Sequence, residues 1–154
     1  MDDAGLYARF SPYLDSYVQF GIAGGKVLSV DFPADADPDA DEEHPLLDRI
    51  GAYLEGADDD FGDVDVALSA NLPTDQASVL EGVRKIPYGE QASCEQVARL
   101  AGGLDPEDAD DLQTIRIALD ANPCPLLVPD HRVRDGPSAA PPAVEQKLRS
   151  LEGL

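Results

Sequence analysis

Asp130 and His131 stand side by side in the stretch "PDHRV", eight residues after Asn122 and directly after the proline-spaced run "NPCPLLV". A nucleophilic acceptor in such a stretch needs a positioned base to activate it. Thiol acceptors are limited to Cys94 and Cys124, and neither is next to His131 in the sequence. Their spacing makes no CxxC pair and no disulfide framework, so both are expected to be small buried apolar residues. His44 follows two glutamates and precedes Pro45. A lone histidine there is expected to be solvent-exposed, because a metal site needs several convergent ligands. No metal site is expected.

Elements must hold these residues. "YVQFGIAGGKVLSVDF", residues 17–32, reads as two strands around a glycine turn. "PADADPDADEEHP" has prolines, acids and no periodicity, so it reads as an exposed loop. "LLDRIGAYL" sets Leu46, Leu47, Ile50 and Leu54 at helical spacing, and "VDVAL" reads as a short strand. This first lobe carries no chemical motif.

The second half reads as mostly helical. Thr74 is the expected N-cap of a helix with Val79, Leu80 and Val83 on one face, broken by "PYGE". Ser93 and Gln96 form a capping box for a helix striped by Val97 and Leu100, and Gly102-Gly103 ends it. The next helix is expected to start at Asp105-Pro106 and run through Leu112, Ile115 and Leu119 to about Ala121, where "NP" stops it. Two short helices joined by a glycine turn are consistent with a helix-turn-helix. The expected fold class is α/β, with a small strand-rich N-terminal lobe over residues 1–70. A helical, winged-helix-like helix-turn-helix domain fills residues 71–154.

Composition narrows the setting. With 154 residues and 43% apolar content, the chain can build one core or two lobes sharing one. It lacks an apolar run long enough for a membrane helix, and its start lacks the basic-then-apolar order of a signal peptide. A cytoplasmic protein is expected. There are 31 acids against 11 bases, a formal net charge of -20, and the only lysines are Lys26, Lys85 and Lys147. Such self-repulsion destabilises the compact state unless salt screens it, as in a high-salt cytoplasm. Residues 1–76 carry 18 acids and 3 bases, and residues 77–154 carry 13 and 8, so a polyanion is less repelled by the second half.

The second half resembles the O6-alkylguanine-DNA alkyltransferases (methylated-DNA–protein-cysteine methyltransferases) and their non-catalytic alkyltransferase-like relatives. Three ordered stretches carry the likeness: "VRKIPYGEQASCEQVARLAG", "NPCPLLVPDHRV" and "KLRSLEG". The resemblance covers about residues 74–154. It implies a helix-turn-helix in the minor groove, an arginine finger filling the gap left by a flipped nucleotide, and an alkylated base in a pocket. It also implies a cysteine thiolate, activated through water by histidine and glutamate, that takes the alkyl group. No cofactor is implied. Matched by position, Asn122 braces the active-site turn, His131 and Glu152 form the relay, and Arg132 is a structural arginine. Leu119, Pro125 and Val133 would wall the base pocket. Ser93, Cys94, Glu95, Gln113, Thr114 and Arg116 would face DNA.

The departures are specific. Asp130 occupies the nucleophile position, and a carboxylate is poor at displacing alkyl from an ether-like oxygen. Burial could protonate it and let it donate to that oxygen. Cys94 replaces a tyrosine that helps turn the nucleotide out. Gln113, nine residues before Asn122, takes the finger position, with Arg116 one turn on. "RDGPSAAPPAVEQ" lacks the Gly-Tyr-x-x-Gly element that closes over the lesion. "DPEDADD" suits a helix dipole but opposes phosphates. Three functions stay open. One is a monomeric, non-catalytic sensor that binds duplex DNA containing alkylated guanine and hands it to excision-repair proteins. The others are an alkyltransferase with a relocated acceptor and a degenerate scaffold that binds a protein partner.

Overall fold

The computed structural model describes residues 4–69 and 72–154. β1 (Gly5–Ser11), β2 (Ser16–Ala23) and β3 (Lys26–Asp31) form an antiparallel sheet in the order β1-β2-β3. The β2–β3 turn needs positive φ at two successive residues, and Gly24 and Gly25 supply it at +59° and +78°. β1 has little alternation of its own, and its buried positions include Ala8 and Ser11. Continuous pairing with β2, from Gly5 opposite Ile22 to Ser11 opposite Ser16, makes it a strand.

The expected strand "VDVAL" is instead an isolated bridge between Val66 and Val27. Val27 N donates to Asp65 O at 2.9 Å and Ala67 N to Val27 O at 2.9 Å, after which Leu68 N turns back to Val66 O at 3.0 Å. That local turn ends the pairing before a ladder can build. α1 (Pro45–Leu54) presents Leu46, Leu47, Ile50, Tyr53 and Leu54 to the core. His44 is its half-buried N-cap, contrary to the expected exposed loop residue. Its Nδ1 accepts from Leu46 N at 3.0 Å, and its ring packs on Tyr7 and Phe20.

α2 (Thr74–Val83) begins inside the residue expected to cap it. Pro73 is the N-cap, and its carbonyl accepts from Ala77 N at 2.9 Å. α3 (Cys94–Ala101) has the expected capping box, with Ser93 Oγ accepting from Gln96 N at 3.2 Å and Gln96 Oε1 from Ser93 N at 2.8 Å. Gly102 and Gly103, at φ +75° and +74°, reverse the chain. α4 (Ala109–Asp120) starts later than expected, with Asp108 as N-cap. Asp105 is occupied in a turn, accepting from Glu107 N at 2.9 Å, while its own N–H donates to Asp111 Oδ2 at 2.8 Å. Local aspartate hydrogen bonds here outcompete a helical first turn.

α2 and α3 touch backbone to backbone at Gly82, where an added Cβ would lie 2.8 Å from Ala101 N. α5 (Pro142–Glu152) closes the chain. One hydrophobic cluster runs from Leu14 and Val18 through the helices to Leu148. Val30 N donates to Pro123 O at 2.9 Å, tying the sheet to the second half. The expected boundary between residues 70 and 71 lies outside the described residues. Among the described residues, no helix is long and apolar enough to cross a membrane.

Candidate functional site

The run from Asn122 to Val133 is an irregular, buried segment that its own side chains must hold. Asn122 does much of this. Its Oδ1 accepts from Cys124 N at 3.0 Å, and its Nδ2 donates to Val128 O at 3.1 Å and to Asp130 Oδ2 at 3.0 Å. A single 3-10 turn, Asp130–Arg132, follows. The Asp130 side chain is enclosed, with the residue only 1% exposed. Its Oδ1 accepts from Ser138 Oγ at 2.6 Å, and its Oδ2 accepts from Ala139 N at 2.9 Å as well as from Asn122. Burial raises the carboxyl above its usual range, and the donors from Ser138, Ala139 and Asn122 oppose that rise.

The next two residues turn to a different carboxylate. His131 Nε2 faces Glu152 Oε2 at 2.6 Å, and Arg132 Nε donates to Glu152 Oε1 at 2.7 Å. Gly89 N donates to Oε1 at 3.0 Å, and the Tyr53 hydroxyl donates to Oε2. Burial alone would raise the Glu152 carboxyl, but the hydrogen bonds from His131 and Arg132 outweigh it and hold it down at about 2. A carboxylate opposite Nε2 puts the imidazole proton there. Nδ1 is buried and has no hydrogen-bond partner among the described residues. Tyr53 is pushed far above the ordinary phenol range by burial and then by the Glu152 charge.

Thus Asn122 and Asp130 are brought together, as are His131 and Glu152, and the 3-10 turn joins the two pairs. Leu119, Pro125 and Val133, the expected pocket walls, are all buried. Part of the following loop sits against Leu119 and Val133: an added Cβ on Gly136 would lie 2.5 Å from Leu119 Cδ1 and 3.3 Å from both Cys94 Sγ and Val133 Cγ1. Cys94 is buried there, and its N–H donates to Asp135 Oδ1 at 2.7 Å. Burial, then the Asp135 carboxylate, pushes its thiol up to about 11; burial pushes Cys124 up to about 12. A cavity of about 520 Å3 is lined by other residues, among them Phe10, Tyr13, Leu47 and Leu54.

Of the expected DNA-facing residues, Glu95, Gln113 and Arg116 are exposed, Ser93 and Thr114 are half-buried, and Cys94 is not accessible. Thr114 Oγ1 donates back to Asp110 O at 3.2 Å. Ile117, 46% exposed, lies one turn after Gln113 on α4. Of the acids before and within the first turn of α4, Asp105, Asp108 and Asp111 accept from backbone N–H groups as caps and turn-formers. Among the described residues, no three His, Cys, Asp or Glu side chains gather to hold a metal ion.

Sequence reasoning missed Tyr53, which brings the first lobe into the site although no chemical motif was found there. It occupies the apolar stripe of α1, where nothing marks it off from its core neighbours. Ser138 and Ala139 were missed because they lie in an aperiodic loop and meet Asp130 in an irregular turn, where no periodicity marks a contact.

The enclosed turn, the histidine–glutamate pair and the sheet-plus-helices frame define an alkyltransferase-type fold. A family model described as 6-O-methylguanine DNA methyltransferase, DNA binding domain, matches residues 74–152, and the chain belongs to this family. Three curated relatives are each named methylated-DNA–protein-cysteine methyltransferase. The protein of Metallosphaera sedula is 31% identical over 109 residues, 70% of this chain and 64% of that protein. That of Methanothermobacter thermautotrophicus is 39% identical over 88 residues, 57% of this chain and 46% of that protein. That of Methanopyrus kandleri is 31% identical over 131 residues, 82% and 93% of the two chains. The chain therefore spans under two thirds of the first two relatives.

Among solved structures, the Mycobacterium tuberculosis O6-methylguanine methyltransferase aligns with a TM-score of 0.71 at 21% identity, covering 96% of this chain and 91% of that one. Mycobacterium tuberculosis OGT in complex with DNA aligns at 0.68 and 20%, covering 96% and 90%. The O6-methylguanine-DNA methyltransferase of Pyrococcus kodakaraensis aligns at 0.67 and 18%, covering 97% and 100%. These structural likenesses bear out the expected fold.

Proposed function

We propose that this chain is a DNA-repair protein that recognises O6-alkylguanine in duplex DNA without accepting the alkyl group, and leaves the site to excision-repair proteins. The observation that carries it is Asp130. Where the family has its thiolate, this chain has a carboxylate whose two oxygens are both occupied by protein donors. Neither thiol offers a relocated acceptor: both are buried, both are pushed toward the neutral form, and no hydrogen bond joins either to His131 among the described residues. The exposed face of α4, with Gln113, Arg116 and Ile117, is the surface for the groove. The net charge of -20 fits a monomer working in a salty cytoplasm. Phosphate contacts weaken steeply with salt there, so base and apolar contacts carry the affinity.

The test is a titration with duplex DNA containing one O6-methylguanine, against matched undamaged duplex, from moderate to multimolar KCl, with intact-protein mass at each endpoint. Preferential binding with unchanged mass is expected. A methyl-sized gain refutes the non-catalytic assignment. Absence of binding at every salt concentration refutes recognition. It would favour a scaffold for a protein partner, a function for which the filled space around Gly136 is the specific support.

A further inference from the structure

Residues 134–140 form a strap over the buried face of Leu119, Cys94 and Val133, and we infer that Asp130 is the latch that keeps this strap closed. The strap's start is pinned by backbone: Arg134 N donates to Ala92 O at 2.9 Å and Ala92 N to Arg132 O at 2.8 Å. From Asp135 to Ala140, by contrast, no backbone–backbone hydrogen bond is made among the described residues. What holds this part are side-chain acceptors. Asp135 Oδ1 accepts from Cys94 N at 2.7 Å, Asp130 accepts from Ser138 Oγ at 2.6 Å and Ala139 N at 2.9 Å, and Ser138 Oγ accepts from Ala140 N at 3.1 Å. Among the described residues, Asp130 is thus the only one outside the strap whose side chain bonds its distal half.

A thiol in place of Asp130 has one weak acceptor atom and could not match two oxygens serving separate donors. The carboxylate is fitted to a task the family's nucleophile does not perform. Once the latch opens, Gly136 leaves Leu119, Cys94 and Val133, and the surface beneath becomes accessible. This opening belongs to the chain without DNA, so it can succeed or fail independently of the recognition proposed above.

Cys94 lies under the strap, whereas Cys124 is buried elsewhere, with its Sγ 4.0 Å from Val27 O. The two thiols therefore separate strap opening from global unfolding. The experiment is N-ethylmaleimide labelling of the full chain at fixed KCl, with each cysteine followed by peptide mass. Ser138→Ala and Asp130→Ala are expected to raise the Cys94 rate by ~10-fold or more, the factor matching the weaker hydrogen bonds to charged groups. Cys124 keeps its rate, and Ser138→Thr, which retains the hydroxyl, keeps Cys94 near wild type. An unchanged Cys94 rate in Ser138→Ala overturns the latch, and so does a parallel rise of both cysteines in that variant. If Asp130→Ala exposes both by unfolding, Ser138→Ala still decides, because Ser138 is only half-buried and belongs to no helix or strand.

Discussion

Replacing Glu152 with glutamine would keep the side chain's shape and remove one buried charge. Arg132, 2% exposed, would then lose its closest anion, and the nearest remaining charge would be exposed Asp60 at 3.2 Å. Breaking a buried ion pair from one side costs ~3–5 kcal/mol. The carboxyl itself gives a second measure: it is held at about 2 against an ordinary 4.5. At about 1.36 kcal/mol per unit, that gap is worth about 3 kcal/mol. Because the folded value is depressed, the unfolded chain binds the proton more readily between the two values. The stabilisation is therefore complete above pH 4.5 and lost as pH falls toward about 2. Urea unfolding of both proteins at fixed molar KCl measures it, and the difference between them cancels the other carboxylates. Glu152→Gln is expected to be about 3 kcal/mol less stable near neutral pH, with the gap closing through the acid range. No gap near neutral pH would show that Glu152 acts by shape and not by charge, and a gap that stays constant with pH would refute the proton linkage.

Gly82→Ala would drive a methyl to 2.8 Å from Ala101 N and 2.9 Å from Ala101 Cα, where backbone cannot give way. A loss of about 1–3 kcal/mol is expected in the same unfolding assay, and a neutral result would mean α2 and α3 slide apart freely. Asp130→Cys would return a thiol to a position next to His131 and within reach of Asn122. After incubation with O6-methylguanine duplex, this variant is expected to gain one methyl by intact mass. Retained lesion binding without that gain would show that more than Asp130 separates this chain from alkyl transfer.

Signals that lie within a few residues were legible in the sequence, and those that depend on distant partners were not. The capping box at Ser93 and the glycine turn at Gly24-Gly25 are local, and both stand where expected. β1 was invisible because its register comes from β2. Asp105-Pro106 carries a good helix-start signal, yet Asp111 and Asp108 offer nearer hydrogen bonds and move the start to Ala109. Asn122, His131 and Glu152 were found only through the resemblance. Their geometry then supplied Tyr53, Gly89 and Ser138, which reach the site across 99, 63 and 8 residues of chain.

The two buried carboxylates show how the nature of the donors decides whether burial is outweighed. Glu152 meets a guanidinium, an imidazole, a phenol and an amide, and it is held ionised well into the acid range. Asp130 meets a side-chain amide, a hydroxyl and a backbone N–H, all neutral, and there burial wins and the carboxyl rises. The sign of its linkage is opposite: where the folded value lies above the unfolded one, the folded chain takes up the proton, and stability falls as pH rises through that interval. Glu152 therefore stabilises the fold as an anion, whereas ionised Asp130 is carried at a cost. That cost is offset locally by three accepted hydrogen bonds, two of them from the strap. In the function proposed above, a guanine entering beneath the strap breaks those two bonds and must replace them with its own donors or with contacts to Leu119 and Val133. In the reading proposed above, the same aspartate that forgoes alkyl transfer also sets how readily the site opens.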